Sequence, residues 1–210
     1  MNNSTFFLNF AAELILNGKK IVMNKKELLT KKGKELAFLL RHDKEAFDNG
    51  LIDQNGWRNV SELIEKHGYS AELLEEIVET NNKKRYEFNE NRTKIRARQG
   101  HSINVDVGLS EAEPPAILYH GTSSDVIDAI LKEGIKKGSR LYVHLSKDTE
   151  TATNVGSRHG TPCLLSIDAK KMYEDGVKFY LSNNGVWLTE FVDVKYIKKG
   201  NNIEVDPNIY

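Results

Sequence analysis

An α+β fold is predicted, with a helical first lobe that ends in a β-hairpin and a second lobe with a mostly β core. Three observations predict it. Apolar residues recur at helical spacing up to about Val78. Two short alternating segments then flank Asn89–Arg92. Beyond Pro115, short apolar strand-like runs outnumber the helical stretches between them.

The chain is read as a 1–28 N-terminal extension, a 29–107 first lobe, a 108–114 linker and a 115–210 second lobe. Within the extension, Phe6–Leu16 is apolar but interrupted by Asn9 and Glu13. It reads as an amphipathic helix rather than a signal peptide, because no positive region precedes it and no small-residue cleavage site follows. Lys31–Arg41 places Leu36, Leu39 and Leu40 on one helical face, and Asp53–Gly56 is a turn cluster. Asn59–His67 is a short helix carrying Leu63 and Ile64. Ser70 caps a third helix whose apolar face holds Leu73, Leu74, Ile77 and Val78. Arg85–Phe88 and Lys94–Ala97 alternate as hairpin strands. Three helices followed by a hairpin is the winged-helix arrangement, which often serves nucleic-acid binding.

Gly108–Pro115 combines glycine, two acidic residues and two prolines, which marks a boundary. After it, Ile117–Tyr119, Leu141–Leu145, Cys163–Ile167, Lys178–Leu181, Val186–Leu188 and Val194–Ile197 read as strands. Asp125–Glu133 and Thr149–His159 read as helices.

Composition narrows the function classes. Hydrophobic residues make up 39% and charged residues 29% of 210 residues, as in a soluble globular protein. Thirty basic residues balance thirty acidic ones, so any basic site is local rather than a global field. The single cysteine, Cys163, excludes an internal disulfide and CxxC zinc spacing, fits a cytoplasmic location, and reads as a buried thiol in an apolar run. No segment approaches the ~20 apolar residues of a membrane span.

Of the six histidines, His67 alone reads as incidental, near a helix end. The others sit in Arg41–His42, Gln99–Gly100–His101–Ser102, Tyr119–His120–Gly121–Thr122, His144–Leu145–Ser146 and Arg158–His159–Gly160. Each admits a plain reading: a charged helix end, a strand-to-helix turn, a satisfied strand histidine or a surface arginine. Together they say more. A strand ending His-Gly-Thr, followed by one ending His-Leu-Ser, resembles the NAD-binding half of ADP-ribosyltransferases. Leu40–His42, Gly56–Trp57, Lys94–Ala97, Gln99–Ser102, Leu118–Thr122, Val143–Ser146, Arg158–Gly160 and Asn184–Thr189 follow the order found in the NAD-dependent RNA (tRNA) 2′-phosphotransferase family. The resemblance runs from about Thr30 to about Ile197.

That resemblance implies a winged-helix RNA-binding lobe followed by an ADP-ribosyltransferase-like NAD-binding lobe. It also implies a transferase of RNA processing, tRNA splicing in particular, that consumes NAD as co-substrate. The RNA 2′-phosphate would attack the nicotinamide-bearing ribose carbon, and the 2″-hydroxyl would then attack that phosphate. The products would be 2′-hydroxyl RNA, nicotinamide and ADP-ribose 1″,2″-cyclic phosphate. Arg41, His42, Arg96 and Arg158 match the family's essential set. Arginine suits a phosphate with close to two negative charges, because its planar fork binds phosphate bidentately and stays charged.

Tyr119, His120, Gly121, Thr122, Arg140, His144, Leu145 and Ser146 are expected at NAD, with Asn184–Val186 near the nicotinamide end. Lys94, Gln99, His101 and Ser102 are expected on the substrate side. Glu190 is expected not to act as a base, since a phosphate nucleophile is already ionised. The implied partners are RNA bearing a 2′-phosphate and NAD, with no metal and no membrane, in a cytoplasmic monomer. The chain departs from the family at Arg98, at Tyr142, and in having no proline within Asp43–Phe47. Two rivals remain at this level. One is an enzyme that ADP-ribosylates a terminal phosphate and stops, and the other is a nucleic-acid binder that senses NAD without turnover.

Overall fold

A computed structural model describes residues 12–16, 19–158 and 160–199. The mix of helices and strands is that of an α+β protein. The chain divides into two compact units between Ala97 and Arg98. This lies ahead of the 108–114 segment read as the linker. Within the second unit, the Leu141 N–H donates to the His101 carbonyl at 3.0 Å, which ties residues ahead of that segment into the fold.

The first unit opens with β1 (Ala12–Leu16) and β2 (Lys19–Met23), an antiparallel pair with Leu16 opposite Lys19. The helix expected over Phe6–Leu16 is therefore wrong for residues 12–16, and residues 1–11 lie outside the described residues. The overlooked signal is Asn17–Gly18 between two strand-prone runs, a strong hairpin sequence.

Helix α1 (Lys25–Arg41) starts ahead of the expected Lys31 because Asn24 and Glu27 form a capping box. The Asn24 side chain accepts from the Glu27 N–H at 2.9 Å, and Glu27 accepts from the Asn24 N–H at 3.2 Å. A short α2 (Lys44–Asp48), capped by Asp43, was not foreseen. Then follow β3 (Arg58–Asn59), α3 (Val60–His67) and α4 (Ala71–Thr80), the last capped by Ser70 as expected. The unit ends with β4 (Tyr86–Phe88) and β5 (Lys94–Ala97). These strands form an antiparallel sheet in the order β3-β5-β4. Its core joins Leu36, Leu40, Leu63, Leu74 and Ile95, all fully buried, with Tyr69 and Tyr86. Of the two apolar residues named on α3, Leu63 is buried and Ile64 is exposed.

The second unit contains β6 (Ser110–Glu111), β7 (Ile117–Ser123), α5 (Ile127–Glu133), β8 (Ile135–Lys136), β9 (Val143–Leu145) and α6 (Thr149–Gly156). Next come β10 (Pro162–Asp168), α7 (Ala169–Glu174), β11 (Tyr180–Leu181), β12 (Trp187–Thr189), β13 (Phe191–Val192) and β14 (Ile197–Lys199). Single 3-10 turns precede α5 and β14, so Val194–Ile197 is mostly not a strand. Strand β6 lies inside the segment read as a linker, paired with β11. Helix α6 ends at Gly156 rather than His159, which lies outside the described residues.

Two antiparallel sheets, β14-β10-β7 and β6-β11-β12-β9, carry the unit. Leu118, Leu145, Leu165, Ile167, Met172 and Phe179 fill its core. Cys163 packs against this core but is half-buried, not fully buried as expected. No helix among the described residues is long and apolar enough to cross a membrane.

Candidate active site

In the second unit, His120–Gly121–Thr122 lies inside β7, which runs past the Ile117–Tyr119 bounds read from the sequence. Strand β10 pairs along the whole of β7, from Asp168 opposite Ile117 to Pro162 opposite Ser123. Residues facing alternate sides of a strand explain what each member does. Leu118, His120 and Thr122 share the side of buried Leu165 and Ile167, whereas Gly121 faces the other way, against α6. A Cβ on Gly121 would stand 1.6 Å from the Ala152 carbonyl oxygen, and one on Gly156 would stand 2.8 Å from that of Thr122. Only glycine at both positions lets the helix backbone lie on the strand.

Tyr119 ties this strand to the other sheet. Its N–H donates to the Ser146 carbonyl at 2.9 Å, and the Ser146 N–H returns the bond at 2.8 Å. The His120 Nδ1–H donates to the His144 carbonyl at 3.1 Å. A carbonyl can only accept, so in the neutral ring Nε2 is the acceptor. Burial pushes the His120 pKa below its ordinary value, against the smaller opposing effect of the His144 carbonyl. The His144 ring continues the chain, its Nε2 lying 2.8 Å from the Gln99 side-chain oxygen. Arg140 donates to the Gly100 carbonyl, and burial lowers its pKa.

Tyr119, His120, His144, Ser146, Gln99, Gly100, His101 and Arg140 are thus brought together by bonds between their own segments. Leu145 points into the core instead, fully buried, and contributes packing. Ser102 is exposed. Arg158 is exposed just past α6, with its N–H on the Val155 carbonyl at 3.3 Å. Glu190 is exposed between β12 and β13.

In the first unit, Arg41 ends α1, is buried, and lies 5.8 Å from the centre of the Tyr86 ring. His42 caps that helix, its N–H on the Phe38 carbonyl at 2.8 Å. Arg96 on β5 lies over the Trp57 ring at 4.3 Å, with Nε on Glu87 at 2.7 Å and Nη1 on the Asn55 carbonyl at 3.2 Å. Register places Arg96 beside Glu87, and Tyr86 beside Ala97, on opposite faces of the hairpin. Lys94 pairs with Asp53 at 3.1 Å. Asp53 also accepts from the Asn55 and Trp57 N–H groups, which fixes the turn beneath Arg96.

Sequence reasoning missed Arg58. It is 2% exposed and hydrogen-bonded to Asp43, Glu62, His67 and the Leu39 carbonyl. His67, read as incidental, is one of its partners. Among the described residues no group of histidine, cysteine or carboxylate side chains is placed to hold a metal.

Residues 27–191 match the sequence family described as RNA 2′-phosphotransferase, Tpt1 / KptA family. The chain is 55% identical over 174 residues to a probable RNA 2′-phosphotransferase of Fusobacterium nucleatum, covering 80% of this chain and 97% of that one. A protein of the same name from Flavobacterium johnsoniae is 54% identical over 171 residues, covering 79% and 93%. Another from Pseudomonas syringae is 47% identical over 184 residues, covering 84% and 97%. The chain belongs to the RNA 2′-phosphotransferase family, Tpt1 / KptA.

Proposed function

We propose that this chain is an NAD-dependent RNA 2′-phosphotransferase. The observation that carries the reading is the family match across residues 27–191, which spans every candidate site residue. On this reading the first unit is a winged-helix RNA-binding lobe, and the second is an ADP-ribosyltransferase-like lobe that takes NAD. In the first step a 2′-phosphate oxygen forms a bond to C1″ of the nicotinamide ribose. The C1″–N bond breaks, and nicotinamide leaves as a neutral molecule with the bonding electrons. In the second step the ribose 2″-oxygen bonds to the phosphorus and the P–O2′ bond breaks. The proton of the 2″-hydroxyl is matched by the one gained at the RNA 2′-oxygen. ADP-ribose 1″,2″-cyclic phosphate leaves.

The site chemistry supports these roles. A neutral His120 with Nε2 as acceptor suits a ribose hydroxyl, which donates. The Gln99–His144–His120 chain fixes that ring before any ligand arrives. Arg41, His42, Arg96 and Arg158 are assigned to the phosphate, where positioning and charge stabilisation dominate phosphoryl transfer. Lys94, His101 and Ser102 are assigned to the RNA side.

The test is incubation with NAD and a short RNA carrying one internal 2′-phosphate, followed by product identification. Appearance of 2′-hydroxyl RNA, nicotinamide and the cyclic phosphate together is expected, and only with NAD present. A stable ADP-ribosylated RNA with no cyclic product would overturn the two-step reading.

A further inference from the structure

Arg41 and His42 are bracketed by two groups that one buried side chain holds. Arg58, on β3, sends Nη1 to the Leu39 carbonyl at 2.9 Å and to Asp43 Oδ2 at 2.8 Å. Leu39 precedes the Arg41–His42 pair and Asp43 follows it, so a single guanidinium nitrogen closes the chain around the pair. The other edge of the guanidinium is anchored away from it. Nε donates to Glu62 Oε2 at 2.7 Å, and Nη2 donates to Glu62 Oε1 and His67 Nε2, both at 3.0 Å. Since guanidinium only donates, His67 Nε2 accepts.

Five donors in one rigid plane make this possible, and a lysine ammonium cannot reproduce it. Asp43 does double duty. Its Oδ1 accepts from the Ala46 N–H at 3.0 Å and starts α2, while its Oδ2 meets Arg58.

We propose that Arg58, acting through Asp43 and the Leu39 carbonyl, is a positioning residue for the Arg41–His42 pair in phosphate transfer. The inference rests on the assignment of that pair to the RNA 2′-phosphate. The geometry of a phosphate clamp is demanding, and a misplacement of about 1 Å can cost roughly a hundredfold in rate.

The arms of Arg58 can be cut separately. Asp43→Asn keeps an oxygen for the Ala46 N–H and turns an amide donor toward the guanidinium, so the α2 cap survives while the clamp on the pair is lost. Glu62→Gln weakens the anchor on the far side. With 2′-phosphorylated RNA and NAD, Asp43→Asn is expected to lower kcat by about ten- to a hundredfold. Its Tm should fall less than that of Glu62→Gln, and its KM for NAD should stay near wild type. Glu62→Gln is expected to lower Tm more and kcat less. Arg58→Lys should resemble Asp43→Asn in kcat. If kcat simply follows Tm across the three variants, or Asp43→Asn turns over at the wild-type rate, Arg58 is only structural and the inference is wrong. A folded wild-type protein that leaves the 2′-phosphate untouched would bring down the functional reading, and this inference with it.

Discussion

In the first unit, Arg58 and Arg96 are held by carboxylates, and Arg41 lies against an aromatic ring. In the second, Tyr119 and Ser146 are held by backbone bonds to each other, and Gly121 by the bare backbone of α6. The difference predicts different weaknesses. Charge pairs depend on protonation and on the loss of one partner. Backbone contact is indifferent to pH over the ordinary range but has no room for an added methyl group.

The largest effect is expected at Gly121. In Gly121→Ala the new Cβ would overlap the Ala152 carbonyl, which is backbone and cannot swing aside. Such overpacking should cost about 3 kcal/mol or more. Gly156→Ala also meets backbone, but less severely. There the clash is partly offset by the better helix propensity of alanine, roughly 1 kcal/mol. Chemical denaturation of the two variants should therefore rank Gly121→Ala well below Gly156→Ala. Equal stabilities would mean that α6 can slide away from β7.

Next comes the buried charge cluster. Glu62→Gln leaves Arg58 short of one charged partner in a site almost closed to water and should cost about 3 kcal/mol. Asp48→Ala, which breaks the exposed Lys44–Asp48 pair, should change stability by less than about 0.5 kcal/mol. Acid sharpens the contrast. The hydrogen bond and charge of Arg58 outweigh burial and hold the Glu62 carboxyl below its ordinary 4.5. For Asp43 burial is the largest influence and opposes the shift, yet Arg58 and the Ala46 N–H together lower it below 3.8. Both contributions are complete above those ordinary values and are lost as pH falls through the lowered ones. Unfolding measured from pH 7 downward should lose stability below about pH 4.5 in wild type, and over a smaller range in Glu62→Gln. Parallel curves would show that other carboxylates dominate.

These forces differ in how far the sequence betrays them. Ser70 and the spacing of Leu73, Leu74, Ile77 and Val78 announced α4, and alternation announced β4 and β5, because local signals suffice for both. The residues around β7 and β9 were legible as motifs, but the bounds Ile117–Tyr119 were too short, because the full length of β7 depends on pairing with distant β10. Helices α2 and α7 are too short to show a period, and their Asp43 and Asp168 caps were the only marks. Arg58 had no mark at all. An arginine after Trp57 and a glutamate on α3 look like solvated residues, and only tertiary packing buries them together.

His120 offers the mildest test, because it sits where the two kinds of support meet. Its place is set by the β7 backbone, yet its usefulness as an acceptor depends on charge. Burial favours the neutral ring, so its pKa in the folded protein lies below 6.5. The unfolded chain takes up a proton first as pH falls, and folding stability declines from about pH 6.5 downward until the folded ring also titrates. On the proposed reading, a protonated ring would turn Nε2 from acceptor to donor and lose the bond it would accept from a ribose hydroxyl of NAD. The KM for NAD should therefore be flat from about pH 8 to 6.5 and rise only below that, by no more than about tenfold per pH unit for one proton. A rise already under way at pH 7.5 would place the folded pKa too high for a ring desolvated in this way. A flat profile down to pH 5, with the ring seen to titrate by NMR, would mean that His120 orients the strand rather than the ligand, and would move its role from the charge-dependent side of the comparison to the backbone side.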